Sequence, residues 1–134
     1  TLARYQTPET PSPVLLVEDD TDTREVMRRM LDKAGWPVVE AANGREALDQ
    51  MASARPGIIL LDLMMPVMDG FDFLLEMRAR QDWCDIPVIV LTAKNLTEED
   101  RQLLSGKVEQ VIEKGATSHE QLIELLHGKL GNLA

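Results

Sequence analysis

Three runs of aliphatic residues constrain this chain more than any other feature: VLLV at 14–17, IILL at 58–61 and VIVL at 88–91. No polar residue interrupts them, so strands built from them have no face to spare for water. Continuous apolar strands belong in a parallel sheet covered on both faces, whereas a sheet with one wet face alternates apolar and polar residues. VVEA at 38–41 and VEQVI at 108–112 read as two further short strands.

Helical patterns separate the strands. Val26, Met27, Met30, Leu31 and Ala34 recur at three- and four-residue spacing, as do Ala47, Leu48, Met51 and Ala52. Phe71, Leu74 and Leu75 form the expected apolar face of a third helix, and Leu122, Ile123, Leu125, Leu126 and Leu130 that of the last. TEEDRQLLSG at 97–106 is a shorter, more polar helix. Asn43 with Glu46, Asp22 with Glu25, and Ser118 with Gln121 have capping-box spacing. Asp69 and Thr97 are expected N-caps, and Gly35 stands where the first helix should stop. Strand and helix alternate five times, too few for an eight-stranded barrel, which leaves an open, doubly wound α/β sheet.

At 134 residues the chain fits one domain, and its 44% hydrophobic and 28% charged content is that of a globular protein. Residues 1–13 carry Pro8, Pro11 and Pro13 among Thr, Ser and Glu, and read as a linker or tail. A linker implies something to link, so the domain is expected to be tethered through its N-terminal segment to a larger chain. The folded domain is expected at 14–130, with a short tail at 131–134. No apolar run of membrane-spanning length and no leader-like segment is present, and the single cysteine, Cys84, suits a reducing, cytoplasmic setting. The net charge of −9 disfavours direct binding of nucleic acid.

Polar chemistry gathers at the carboxyl ends of the strands. The first ends in Glu18, Asp19 and Asp20, the third in Asp62, the fourth in Thr92 and the fifth in Lys114. A parallel sheet brings these ends to one edge, where ligands of such folds bind. Clustered carboxylates repel, and a hard, oxygen-loving cation such as Mg2+ relieves the repulsion. Thr92 and Lys114 suit a group with several anionic oxygens, and Asp62 becomes a candidate nucleophile, since carboxylates form aspartyl phosphates. Taken singly, Asp62 could cap a turn, Thr92 could be an ordinary strand residue, and Lys114 a surface charge. Asp20 is read as part of a helix cap rather than of the metal site.

LLVEDD, LLDLMMPVMDG, VIVLTAK and VIEKG, in this order and spacing, resemble the receiver domain of two-component signalling, the phosphoacceptor module of response regulators and hybrid histidine kinases. The resemblance covers 14 to about 128 and implies a flavodoxin-like, five-stranded sheet of order 2-1-3-4-5 with five helices. It implies that Asp62 accepts a phosphoryl group from the phosphohistidine of a histidine kinase or histidine phosphotransfer protein. It implies Mg2+, with Mn2+ as substitute, bound by Asp19, Asp62, the backbone carbonyl of Met64 and, through water, Glu18. It further implies that Thr92 and Lys114 hold the phosphoryl oxygens and that the small Ala93 leaves room for them.

Two positions depart from the family pattern. Gly115 follows Lys114 where proline is usual, and Val111 stands where the fifth strand often carries an aromatic residue. The short helix before that strand resembles receivers attached to sensor kinases, so the chain is expected to be the C-terminal receiver of such a hybrid. Two other readings stay open at this level. A Mg2+-dependent phosphatase would want a second aspartate two residues after Asp62, where Met64 stands; a silent receiver-like scaffold would bind a partner without phosphorylation. His119 and His127 are read as solvated, Met27, Met30 and Met51 as core, Trp36 and Trp83 as lying near loops, and Trp83 as partly buried.

Overall fold

The computed structural model describes residues 13–63, 67–92, 96–105, 108, 110–113, 121, 122 and 124–126. Five strands run in parallel: β1 (Val14–Val17), β2 (Val38–Ala41), β3 (Ile58–Asp62), β4 (Val88–Thr92) and β5 (Gln110–Glu113). Their spatial order is 2-1-3-4-5, as the resemblance implies. Four helices lie between them: α1 (Thr21–Lys33), α2 (Gly44–Ser53), α3 (Gly70–Arg78) and α4 (Glu98–Leu104). Residues 121, 122 and 124–126 are helical and make up the described part of a fifth, α5. The first twelve residues of the linker expected at 1–13, the Ser118 cap, His119, His127 and the tail at 131–134 fall outside the described residues.

Strand alternation splits the core in two. Leu15, Val17, Ile59, Leu61, Val88 and Val90 point to one face and meet Ala47 and Met51 of α2, Phe73, Leu74 and Met77 of α3, and Leu104 of α4. Val14, Leu16, Ile58, Leu60, Ile89 and Leu91 point to the other, against Met27 and Leu31 of α1 and Leu122 and Leu126 of α5. Both faces being covered is why these strands are apolar at every position. Each fully buried Leu, Ile or Val contributes about 1.5–3 kcal/mol relative to exposure.

The helix ends show where local signals competed. Asn43 caps α2 by accepting from the Glu46 N–H, while the Glu46 carboxylate accepts from the N–H of Ala42. Asp69 and Thr97 cap α3 and α4 as expected, and Thr97 forms a full capping box with Asp100. The expected box of Asp22 with Glu25 is corrected: α1 begins two residues earlier, capped by Asp20, which accepts from the N–H and the hydroxyl of Thr23. Helix α1 ends as read. Gly35 takes φ 94°, its N–H donates to the Asp32 carbonyl, and the Trp36 N–H donates to that of Leu31, a Schellman closure.

The buried face of α3 also differs from the expectation. Gly70, Phe73, Leu74 and Met77 face the core, while Phe71 is only partly buried and Leu75 is 56% exposed. Residues 70, 73, 74 and 77 follow the helical repeat, so the face chosen by Gly70, which alone fits against the strand end, carries the others with it. Val26 of α1 and Ala52 of α2 are likewise exposed. Met27 and Met51 are buried on opposite faces of the sheet, and Met30 packs on the Met27 side, as read. Trp83 is buried, with the Arg80 guanidinium 4.7 Å above its ring.

Candidate functional site

In the order 2-1-3-4-5, the chain turns from one side of β1 to the other. β2 pairs with one edge of β1 and β3 with the opposite edge, in register from Val14 to Val17. The crevice at such a reversal opens outside the carboxyl ends of β1 and β3. Those ends are Glu18-Asp19 and Asp62.

Glu18 is 2% exposed and Asp62 6%, while Asp19 is open to solvent. One carboxylate oxygen from each of the three lies within 4.8 Å of the other two. At that separation each pair of charges repels by about 3 kcal/mol for an effective dielectric near 20. A divalent cation with oxygen ligands would offset this, and two buried carboxylates beside one exposed one leave an approach from solvent. With no histidine or cysteine in the cluster, the donor set fits Mg2+ or Mn2+ rather than softer metals.

Thr92 ends the adjacent strand. Asp62 is in register with Leu91 of β4, and Thr92, one residue on, is 1% exposed. The geometry thus brings together Glu18, Asp19 and Asp62, three of the expected site residues, and Thr92 ends the strand next to that of Asp62. Lys114, Met64, Ala93 and Gly115 lie outside the described residues. Asp20 is a helix cap, as read. Val111 is partly buried, paired with Val90 and packed on the α2–α4 side of the core.

The strand ends are held by close packing. The Gly70 N–H donates to the Leu63 carbonyl at 3.1 Å. A Cβ at Gly70 would stand 2.7 Å from Leu63 Cα and 2.8 Å from the Asp62 carbonyl oxygen, so only glycine lets α3 start against the acid-bearing strand. Val67, in the same connection, has φ 67° and is 83% exposed, an unusual conformation for a β-branched residue. Two residues near the site had not been singled out from the sequence. Arg24 of α1 donates from Nη1 to the Glu18 carbonyl at 2.8 Å and pairs through Nε with Glu40 of β2 at 3.2 Å. The available signal was Glu40 itself, a charge inside the otherwise apolar VVEA.

Comparison with known proteins agrees with this geometry. The family model for the response regulator receiver domain matches residues 14–127. The response regulator MprA of Mycolicibacterium vanbaalenii is 44% identical over 89 residues, which are 66% of this chain and 38% of that protein. The chain therefore matches well under half the length of these curated relatives. Among solved structures, the chemotaxis protein CheY4 of Vibrio cholerae is 31% identical at a TM-score of 0.80, covering 89% of this chain and 98% of that one. The receiver domain of the sensor histidine kinase PA1611 of Pseudomonas aeruginosa, solved with a magnesium ion coordinated in its active site cleft, is 29% identical at a TM-score of 0.81, covering 91% and 99%. The chain belongs to the response regulator receiver family, the phosphoacceptor modules of two-component signalling.

Proposed function

We propose that Asp62 is the phosphoacceptor. One of its carboxylate oxygens attacks the phosphorus of a partner's phosphohistidine in line with the P–N bond. A P–O bond forms as the P–N bond breaks, and the imidazole leaves with the electron pair and takes up a proton. The partner is a histidine kinase or a histidine phosphotransfer protein.

In this reading Asp19 and Asp62 hold Mg2+ directly, Glu18 through water, and the Met64 carbonyl supplies a further oxygen; Mn2+ substitutes. The cation supplies positive charge to the transferring phosphoryl group. Thr92 donates to a phosphoryl oxygen, Lys114 pairs with another, and Ala93 leaves the space they need. The same groups allow self-catalysed phosphorylation from small donors and self-dephosphorylation. The added charge of about −1.5 to −2 draws Thr92 and Lys114 inward, and with Val111 in place of an aromatic the change it causes on the surface of α4, β5 and α5 is small.

The observation that carries this is the convergence of Glu18, Asp19 and Asp62 within 4.8 Å at the sheet's reversal point. The PA1611 receiver with its magnesium supports the choice of cation. That neighbour and the Syntrophus aciditrophicus receiver both come from histidine kinases, which supports placing this domain in a hybrid kinase. In that reading residues 1–13 tether it, and it is cytoplasmic.

The test is incubation with acetyl phosphate and Mg2+, followed by intact-mass and peptide mass spectrometry. A single phosphoryl adduct, base-labile and mapped to Asp62, is expected; it should vanish in Asp62→Asn and when the cation is chelated. A folded protein that takes no adduct from any donor overturns the proposal.

A further inference from the structure

Beside the acid cluster lies a closed ring of contacts that joins three elements. The Glu18 N–H donates to the Ala41 carbonyl at the end of β2, at 3.0 Å. The Glu18 carbonyl accepts from Arg24 Nη1 at 2.8 Å. Arg24 Nε pairs at 3.2 Å with Glu40, the residue before Ala41. The Arg24 N–H donates to the Asp20 carbonyl at 2.9 Å, closing the first turn of α1. The ring therefore runs from Glu18 through Ala41 and Glu40 to Arg24 and back to Glu18, and the turn that bears Asp19 is strung across it. The Arg24 side chain is 19% exposed, and the fork geometry of its guanidinium serves two acceptors at once.

Glu40 has a second cationic partner. Arg28 Nε lies 3.5 Å from it, and Arg28 Nη1 pairs with Asp32 at 2.9 Å. No described contact joins Arg28 to Glu18. The two arginines share Glu40 but differ in whether they touch the turn that presents the carboxylates.

We propose that Arg24, held by Glu40, is a positioning residue for the cation site: it fixes the Glu18 carbonyl and with it the directions of the Glu18 and Asp19 carboxylates. This rests on the metal site proposed above. Groups that orient metal ligands from behind typically set affinity by about 10- to 100-fold. Arg24 touches neither the cation nor the phosphoryl group.

The test is calorimetric titration of Mg2+ into the protein, with urea unfolding run in parallel. Arg24→Ala should bind Mg2+ about 10- to 100-fold more weakly. Arg28→Ala, which also removes a partner of Glu40, should bind it within about twofold of the parent while losing comparable stability. Where Arg24→Ala does not fold, Arg24→Lys replaces it. Its compact ammonium cannot serve the Glu18 carbonyl and Glu40 in the fork geometry, and the same weakening is expected. Parent affinity in a folded Arg24 variant overturns the proposal and leaves the cation site standing. So does equal weakening in Arg28→Ala, which would mark a general electrostatic effect. A parent protein that takes up no Mg2+ overturns the cation site itself, and the positioning role with it.

Discussion

At the residue scale, three carboxylates within 4.8 Å make the site a store of repulsion, which the proposed cation would relieve. Binding to the folded state alone stabilises it, by about 2.7 kcal/mol at roughly a hundred times the dissociation constant. Mg2+ should therefore raise the urea midpoint of the parent protein, and Asp19→Asn should lose most of that gain; an unchanged midpoint in the parent would contradict the cation site. Thr92 permits a sharper separation. Thr92→Val keeps the buried, β-branched shape and deletes only the hydroxyl. Removing one donor aimed at developing charge costs about 10²- to 10³-fold in comparable sites. Phosphorylation from acetyl phosphate should slow by about 10²-fold while Mg2+ affinity stays at the parent value. A parallel loss of both would place Thr92 in the fold rather than the chemistry.

At the scale of elements, the acid-bearing strand depends on how α3 is started, and α4 depends on its own cap. Gly70→Ala would force a Cβ to within 2.7 Å of Leu63 Cα, a backbone clash that a side-chain rotation cannot relieve. The expected loss is about 1–3 kcal/mol in urea unfolding, with slower phosphorylation, because the Asp62 carbonyl is the next atom to be displaced. Helix α4 spans seven residues and relies on the Thr97–Asp100 capping box. Thr97→Ala should cost about 1 kcal/mol, read as faster amide exchange in α4 rather than in β3 or β4. The caps Asn43, Asp69 and Thr97 were legible in the sequence because a cap depends on three or four consecutive residues. The start of α1 was not. Asp20 and Asp22 both offer a carboxylate at cap spacing, and the choice fell to Asp20, where β1 ends and the chain turns. The face of α3 was misassigned for a related reason. Phe71 and Leu75 are as apolar as Phe73, Leu74 and Met77, which became buried, but the close approach at Gly70 set the rotation of the helix.

At the scale of the whole molecule, phosphorylation must convert a local charge into a change at a distant surface. Inverting a population from about 1:99 to 99:1 requires about 5.5 kcal/mol of preference for the active state. An aromatic side chain on β5 would offer a large group to swing inward. Val111 is already partly buried against the α2–α4 side of the core and has far less reach. With beryllofluoride as the phosphoryl mimic, backbone amide shifts should be large at Asp62 and Thr92 and small along β5. A large concerted shift across α4, β5 and α5 would show that another group carries the signal.

The alternation of apolar strands and amphipathic helices, and the acids, hydroxyl and lysine at the strand ends, were all present in the linear chain. Hydrogen-bonding and burial periodicity act over a few residues, so fold class and the identity of the chemical groups could be read without coordinates. Only the tertiary structure decided which groups meet. Glu18 and Asp62 are 44 residues apart in the chain, and the 2-1-3-4-5 pairing makes their strands neighbours. Arg24 and Glu40 carry no local signature as a pair, because their contact exists only once α1 packs over β1 and β2. Strand pairing and helix rotation are settled by long-range packing against a shared core, and no short stretch of sequence contains that information.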